Sequence, residues 1–179
     1  MVRHIYFVFV LFIGGACVSK STKYQDVTVK NVDIDRFMGK WYVIASIPTM
    51  FEKNACNAVE TYTRKSDDSI HVDFTYHYEK PSGKKTHMTQ TAYVVDDETR
   101  AHWKIRPIWP LLFDYLIIDL DHENYEYTTI GRPNKANLWI MARSHEISPK
   151  LYNSLVEKAV IAGYDKTKIE KVEQNWSNP

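Results

Sequence analysis

The stretch Asn31–Met50, NVDIDRFMGKWYVIASIPTM, decides the fold that the sequence predicts. Its first part carries apolar residues spaced as in a short helical turn. Gly39 follows, where the backbone can bend sharply, and then come Trp41 and a β-rich run through Ile47. Pro48 ends the run, because proline cannot donate to a β-ladder. The stretch therefore predicts a helical turn that closes one end of a β-structure, with the Trp41 ring filling that end.

Strand signals recur about every ten residues after this stretch, and short turn-rich segments separate them. The predicted strands are Trp41–Ile47, Asn57–Arg64, Ile70–Tyr78, Met88–Val95, Ala101–Arg106, Phe113–Leu120, Tyr125–Ile130 and Leu138–Ala142. The connections are too short for crossover helices. Eight sequential antiparallel strands predict an all-β, up-and-down barrel around one small-ligand cavity, in a domain spanning residues 31–179.

The hydrophobic period changes near the C-terminus. Ser148 and Pro149 have the residue types of a helix N-cap and first helical position, and Gly163 is a helix stop signal. The apolar stripe between them is Leu151, Leu155, Val156, Ala159 and Val160. The pattern predicts an amphipathic helix that covers the outside of the barrel, followed by a short ninth strand within Lys168–Gln174.

The N-terminus has the order of a secretory signal. Met1–His4 is basic, Ile5–Ile13 is apolar but far shorter than the ~20 residues that span a bilayer, and small residues precede Cys17. We therefore expect a signal peptide at residues 1–16. The small residues before Cys17 resemble a bacterial lipobox, in which the cysteine is acylated by fatty acids such as palmitate; an ordinary cleaved signal with an incidental cysteine is the alternative. Residues 17–30 then form a polar tether.

The formal net charge of +1 argues against a general nucleic-acid binder, which needs a basic face. Hydrolase-elbow, His-Glu-x-x-His and Cys-x-x-Cys motifs are missing from the sequence. We expect a protein that is not an enzyme and holds no cofactor.

Three segments resemble the motifs of lipocalins: Gly39, Trp41 and Tyr42; Asp114–Asp121; and Leu138–Arg143. Together with the lipobox and the C-terminal helix, they are most similar to bacterial outer-membrane lipocalin lipoproteins. The resemblance implies that Arg143 stacks on Trp41 in a cation–π contact at the closed end. It also implies a protein anchored in the outer membrane, facing the periplasm, that carries a fatty acid or lysophospholipid.

Strand parity predicts which residues line the barrel, because alternate side chains of a strand point to opposite faces. The expected cavity residues are Tyr62, Phe74, Tyr76, Met88, Gln90, Trp103, Ile105 and, in the second motif, Tyr115. Plain core packing is the alternative for each aromatic residue. Glu60 shares the face of Tyr62, and a carboxylate there costs free energy unless it is paired or protonated. Either Glu60 lies at the wet mouth, or the parity is off by one.

Other residue patterns leave alternatives open. His71 and His77 share the outward face of their strand, which favours a solvated face over a metal site. Cys56 has no intramolecular partner if Cys17 is acylated, and its neighbours favour a structural or inert thiol. Two rival functions stay open: a lipocalin-fold enzyme that uses Cys56 or a histidine, and a haem or pigment carrier. The cations and aromatics of Arg100–Phe113 could meet a phosphate headgroup, or could form an exposed hairpin whose long side chains lie over its surface. A homodimer is also left open.

Overall fold

The computed structural model describes residues 23–176, which form two α-helices, one 3-10 turn (Lys166–Lys168) and nine strands. Helix α1 (Ile34–Phe37) precedes the strands, and helix α2 (Pro149–Ile161) follows the eighth strand. The strands are β1 (Gly39–Ile47), β2 (Ala55–Arg64), β3 (Ile70–Tyr78), β4 (Lys85–Val94), β5 (His102–Arg106), β6 (Phe113–Leu120), β7 (Tyr127–Gly131), β8 (Leu138–Ala142) and β9 (Glu170–Lys171). The predicted leader and Cys17 lie outside the described residues.

Strands β1 to β8 close into one antiparallel barrel. Each strand pairs with the next, and β8 returns to pair with β1. The predicted eight-stranded barrel with an external C-terminal helix is confirmed, and β9 adds the short ninth strand. The predicted start of the seventh strand at Tyr125 is wrong: this residue has a positive φ of 58°, as in a turn, and its hydroxyl accepts a hydrogen bond from the Asp33 amide.

Strand β1 changes partners along its length. Its first half pairs with β2 through Tyr42, whereas Ala45 and Ser46 pair with β9. The segment after β9 joins the two strands where they separate. The Gln174 side-chain amide donates to the carbonyl of Val43 on β1 at 2.8 Å and to that of Ala58 on β2 at 3.1 Å. The C-terminal segment therefore completes the wall of the barrel.

Two hydrophobic clusters hold the fold together. The larger one fills the barrel, and the smaller one lies between the outer wall and α2. Strand β8 is buried on both faces because it serves both clusters. Ser148 caps α2 by accepting from the Leu151 amide, and Leu155 and Ala159 are fully buried on the wall. Val160, which the predicted apolar stripe includes, is exposed.

The last residues of the predicted tether lie on the barrel. The Val29 amide donates to the Ile117 carbonyl at 3.0 Å, and the Tyr24 ring contacts His102 edge-on. Within residues 23–176, no helix has the length and apolar character needed to cross a membrane.

Candidate ligand-binding site

The closed end of the barrel is built from α1, Trp41 and Arg143. Trp41 is fully buried, and its indole N–H donates to the Phe37 carbonyl at 2.8 Å. The Arg143 guanidinium lies 3.7 Å from the Trp41 ring centroid and donates to the carbonyls of Lys40 and Arg36. The contact that the family resemblance implies between Arg143 and Trp41 is therefore present. Burial lowers the pKa of Arg143 to about 10, so its charge persists at neutral pH.

Gly39 is required by the backbone at this end. Its φ is +92°, a region that other residues rarely adopt. A side chain there would also approach the Arg143 Nη1 atom to 3.4 Å. Tyr42, the last residue of the motif, lies on β1 with its ring against His145 and Trp176, outside the barrel core.

Aromatic rings fill the half of the barrel next to α1. The Phe37 ring contacts Trp41, Tyr62 and Trp103, with centroids 5.1–5.3 Å apart. Trp103 stacks on Tyr115, which stacks on Trp139. Three predicted cavity residues, Tyr62, Trp103 and Tyr115, thus pack against one another at the closed end, as the core-packing alternative expects.

Glu60 lies inside the barrel with 3% of its surface exposed. The hydroxyls of Tyr62 and Tyr115 donate to its Oε2 atom. Burial raises the pKa of Glu60 to about 7, although the tyrosine hydroxyls oppose that shift. The expectation of a wet mouth or a shifted parity is wrong for Glu60. The Glu60 side chain points into the barrel, as that of Tyr62 does, because two hydroxyl groups satisfy its carboxyl group.

Glu60 and the hydroxyl groups of Tyr62 and Tyr115 form a polar cluster inside the barrel. Glu52 brings a second carboxyl group toward this polar cluster from the 48–54 loop. Its carboxylate accepts a hydrogen bond from the Thr49 amide at 2.9 Å. Burial nevertheless raises the pKa of Glu52, and its charge raises the pKa of Glu60 in turn. Sequence reasoning missed Glu52, because a loop has no periodicity that indicates where a side chain points.

The inward face of β3 and β4 toward the mouth carries mostly apolar side chains that differ in burial. Phe74 and Tyr76 are buried with their rings 5.2 Å apart, and the Tyr76 hydroxyl donates to the Phe51 carbonyl. Met88 and Gln90 share the inward parity of β4 and are only half-buried. The pairing of β4 with β5 ends at Thr91, so β4 extends past its neighbour toward the mouth. Ile105, on β5, is buried in the same cluster.

Comparison with known proteins agrees with this architecture. The family model for the lipocalin-like domain matches residues 32–174.

The chain belongs to the lipocalin family.

Its relatives include a plant lipocalin and a bacterial outer membrane lipoprotein. Temperature-induced lipocalin-1 of Arabidopsis thaliana is 35% identical over 161 residues, which cover 84% of each chain. The outer membrane lipoprotein Blc of Escherichia coli K12 is 29% identical over 166 residues and 93% of each chain. Among solved structures, apocrustacyanin C2 superposes with a TM-score of 0.63 at 16% identity, covering 86% of this chain and 93% of its own.

The histidines of this lipocalin that drew attention in the sequence lie on the outer wall. His71 and His77 occupy the half-buried positions of β3, which alternate with the buried ones. Asp73 lies between two imidazoles, 3.2 Å from His71 and 2.9 Å from His87. Within residues 23–176, no group of three histidine, cysteine or acidic side chains could hold a metal ion.

Cys56 lies in a different environment from the lipocalin core. It is buried in a crevice of about 230 Å³ outside the barrel, with its Sγ atom 4.0 Å from the Glu173 carboxylate. Burial, together with the charge of Glu173, raises the pKa of the Cys56 thiol. A raised pKa lowers the thiolate fraction and therefore the nucleophilicity of this cysteine at neutral pH.

Proposed function

We propose that this lipocalin binds a single-chain lipid and holds its acyl chain in the mouth half of the barrel. The observation that carries the proposal is the inward face of β3 and β4, where Phe74 and Tyr76 are apolar and Met88 and Gln90 keep part of their surface exposed. An acyl chain on this face would leave water at about 25 cal/mol per Å² of apolar surface.

The ligand class that fits best is a fatty acid or a lysophospholipid that enters tail first. Glu60 carries an ionisable carboxyl group in the deep region, and an anionic headgroup beside its charged form would be repelled. Cations stand instead at the mouth ends of the strands, where Lys85 begins β4 and Arg106 ends β5. A phosphate or carboxylate headgroup would therefore remain at the mouth.

We propose that binding, and not catalysis, is the activity of the barrel. The raised pKa of Cys56 and its place outside the barrel wall argue against a cysteine nucleophile in the cavity. Sequestration of a lipid requires only burial of its apolar surface, with no covalent step.

The proposed location is the outer membrane, with the barrel in the periplasm and the chain held by acylated Cys17. Two observations support it: the lipobox-like sequence before Cys17 and the similarity to outer membrane lipoproteins named Blc. Stable anchoring requires two or more acyl chains, which lipoprotein processing supplies.

Mass spectrometry of the molecules extracted from protein purified under native conditions tests the proposal. We expect fatty acids or lysophospholipids in about equimolar amount. A visible absorption band from a bound haem or pigment would contradict the proposal, and so would extracts without lipid from a protein that also fails to bind a fluorescent fatty-acid probe.

A further inference from the structure

Two loops at the mouth of the barrel expose large apolar side chains. They are the 48–54 loop between β1 and β2 and the 107–112 loop between β5 and β6. Their exposed residues are Met50, Phe51, Ile108, Trp109, Leu111 and Leu112, with 46–84% of the surface accessible. These six are half of the exposed large hydrophobic residues in the described chain, so the apolar surface is concentrated at one end. Exposed apolar side chains that are concentrated at one end of a domain mark a surface that another apolar phase covers.

Charge is distributed unevenly between the two ends of the barrel. The four mouth loops, residues 48–54, 79–84, 107–112 and 132–137, contain five basic and two acidic residues. The basic residues are Lys53, Lys80, Lys84, Arg132 and Lys135. The three hairpin loops at the opposite end, residues 65–69, 95–101 and 121–126, contain two basic and eight acidic residues. The chain as a whole is therefore nearly neutral, but its mouth loops are positively charged and the opposite loops negatively charged.

The acidic residues at the mouth do not cancel this charge. Glu52 is half-buried and accepts a hydrogen bond from the Thr49 amide, and Glu79 is the other acidic residue of the four loops. Lys53, Lys80 and Lys84 form no ion pair with another residue of the described chain. Their ammonium groups are available to an external anion.

We propose that the mouth loops form a docking surface for an anionic phospholipid bilayer. The six exposed apolar residues would enter the headgroup region, where tryptophan is favoured by its amphipathic ring, and the basic residues would contact lipid phosphates. Peripheral binding of this kind scales with the apolar area buried plus the attraction to anionic lipid, and the mouth loops supply both. A docked mouth would let an acyl chain pass between bilayer and barrel without crossing water.

The docking surface is distinct from an acyl anchor at Cys17, so the test uses a chain that begins at residue 18. That chain keeps every residue of the closed barrel and its core. Flotation with vesicles of phosphatidylcholine, with or without phosphatidylglycerol, measures binding with no ligand added. We expect binding to the phosphatidylglycerol vesicles, weakened by high salt because exposed charges are screened.

Matched variants separate the mouth from the rest of the surface. Ile108→Ser combined with Trp109→Ser should lower vesicle binding at least roughly tenfold, whereas Ile161→Ser, an 80% exposed residue on α2, should leave it unchanged. Lys80→Ala with Lys84→Ala should lower binding to a similar degree, whereas Lys65→Ala at the opposite end should not. Circular dichroism verifies that each variant is folded.

Three results would overturn the docking surface: no binding to anionic vesicles, equal binding by the mouth variants and the controls, or an equal loss in Ile161→Ser. Sedimentation velocity addresses the competing occupant, a second copy of the chain. If the wild-type chain dimerised and the mouth variant were monomeric while both bound vesicles alike, the apolar patch would be a dimer interface instead. The lipid content of the purified protein, measured separately, shows whether the proposed ligand binding holds, whatever the vesicle result.

Discussion

The guanidinium group of Arg143 lies 3.7 Å from the ring centroid of Trp41, although 102 positions of sequence separate the two residues. The same guanidinium donates to carbonyls at the end of α1, so one side chain joins β1, β8 and the closing helix. Trp41 is fully buried and Arg143 is half-buried, so the cation covers the ring at the boundary between the core and the solvent.

Trp41→Ala should destabilise the protein by about 3–5 kcal/mol, as for other buried aromatics cut to alanine. Arg143→Ala should cost less, but the two effects should be coupled by about 1–2 kcal/mol because the side chains touch. Urea denaturation of both single variants and the double variant measures the coupling. Trp176→Ala, at a partly exposed position, is the control with a small effect. Strictly additive free energies of unfolding would show that the contact contributes nothing.

The raised pKa of the Glu60 carboxyl group predicts that the protein loses stability as the pH rises. Its carboxyl group has a pKa of about 7 in the folded protein and an ordinary pKa, near 4.5, when unfolded. Between these values the folded state binds more protons, so the free energy of unfolding falls as the pH increases from about 4.5 to about 7. Glu60→Gln should remove that decrease, worth on the order of 1–3 kcal/mol. The pKa of Glu52 is also raised, so the free energy of unfolding of Glu60→Gln should still fall with pH, though less steeply than that of the wild type.

Urea denaturation of the wild type and of Glu60→Gln at pH 5 and pH 8 tests this prediction. The expected result is a variant that gains stability relative to the wild type at pH 8 and little or none at pH 5. An equal difference at both pH values would mean that Glu60 does not titrate in this range.

Neighbouring residues of β4 should respond oppositely to a new charge. Met88→Lys places an ammonium group on the inward face and should abolish lipid binding, since it must displace the acyl chain or lie desolvated beside it. His87→Lys places the same group on the exposed outer face, where it stays hydrated. Titration with a fluorescent fatty-acid probe measures both. Loss of binding in His87→Lys alone would reverse the assigned faces.

A new charge can also be compared at inward and outward positions of β3 and β5, where the packing decides the expected result. A charge at Phe74 should abolish binding, whereas one at His71 or Lys104 should not. At Trp103, which contacts Phe37, Tyr62 and Tyr115, a charge should unfold the barrel before binding can be measured. Circular dichroism distinguishes that outcome from a folded protein that has lost its ligand.

After a high-salt wash, which weakens binding through the mouth loops, Cys17→Ala should appear in the soluble periplasmic fraction, because the acyl chains that anchor the protein would be lost. Cys56→Ala is the matched control and should stay with the membrane. Unchanged membrane association of the Cys17 variant would contradict the anchor.

Periodicity was enough to predict the barrel and its external helix. Alternation in Ile70–Tyr78 and the helical spacing of Leu155 and Ala159 reflect burial directly, so the sequence carries these elements. The start of β4 was placed too late because Lys85–His87 are polar, and they enter the sheet through backbone pairing with β3. The contact between Arg143 and Trp41 could be inferred only from the family resemblance, since nothing local links the two residues.

The polar cluster and the docking surface were beyond such patterns. Glu60 had the parity of an inward residue, but the sequence gives no sign that the Tyr62 and Tyr115 hydroxyls would meet its carboxyl group. The 107–112 loop is visibly apolar in the sequence, but only the barrel topology places it at the same end of the barrel as the 48–54 loop.

The bridge that Gln174 makes between β1 and β2 has a consequence for biogenesis. The wall next to β1 lacks its last piece until residues near the C-terminus have been synthesised, and β8, on the other side of β1, also lies late in the chain. Such long-range pairings form slowly, so the barrel should not close while its C-terminus is still held in the ribosome or a secretion pore. A chain exported in unfolded form would meet this condition without a dedicated holding factor, because its own last residues delay its closure.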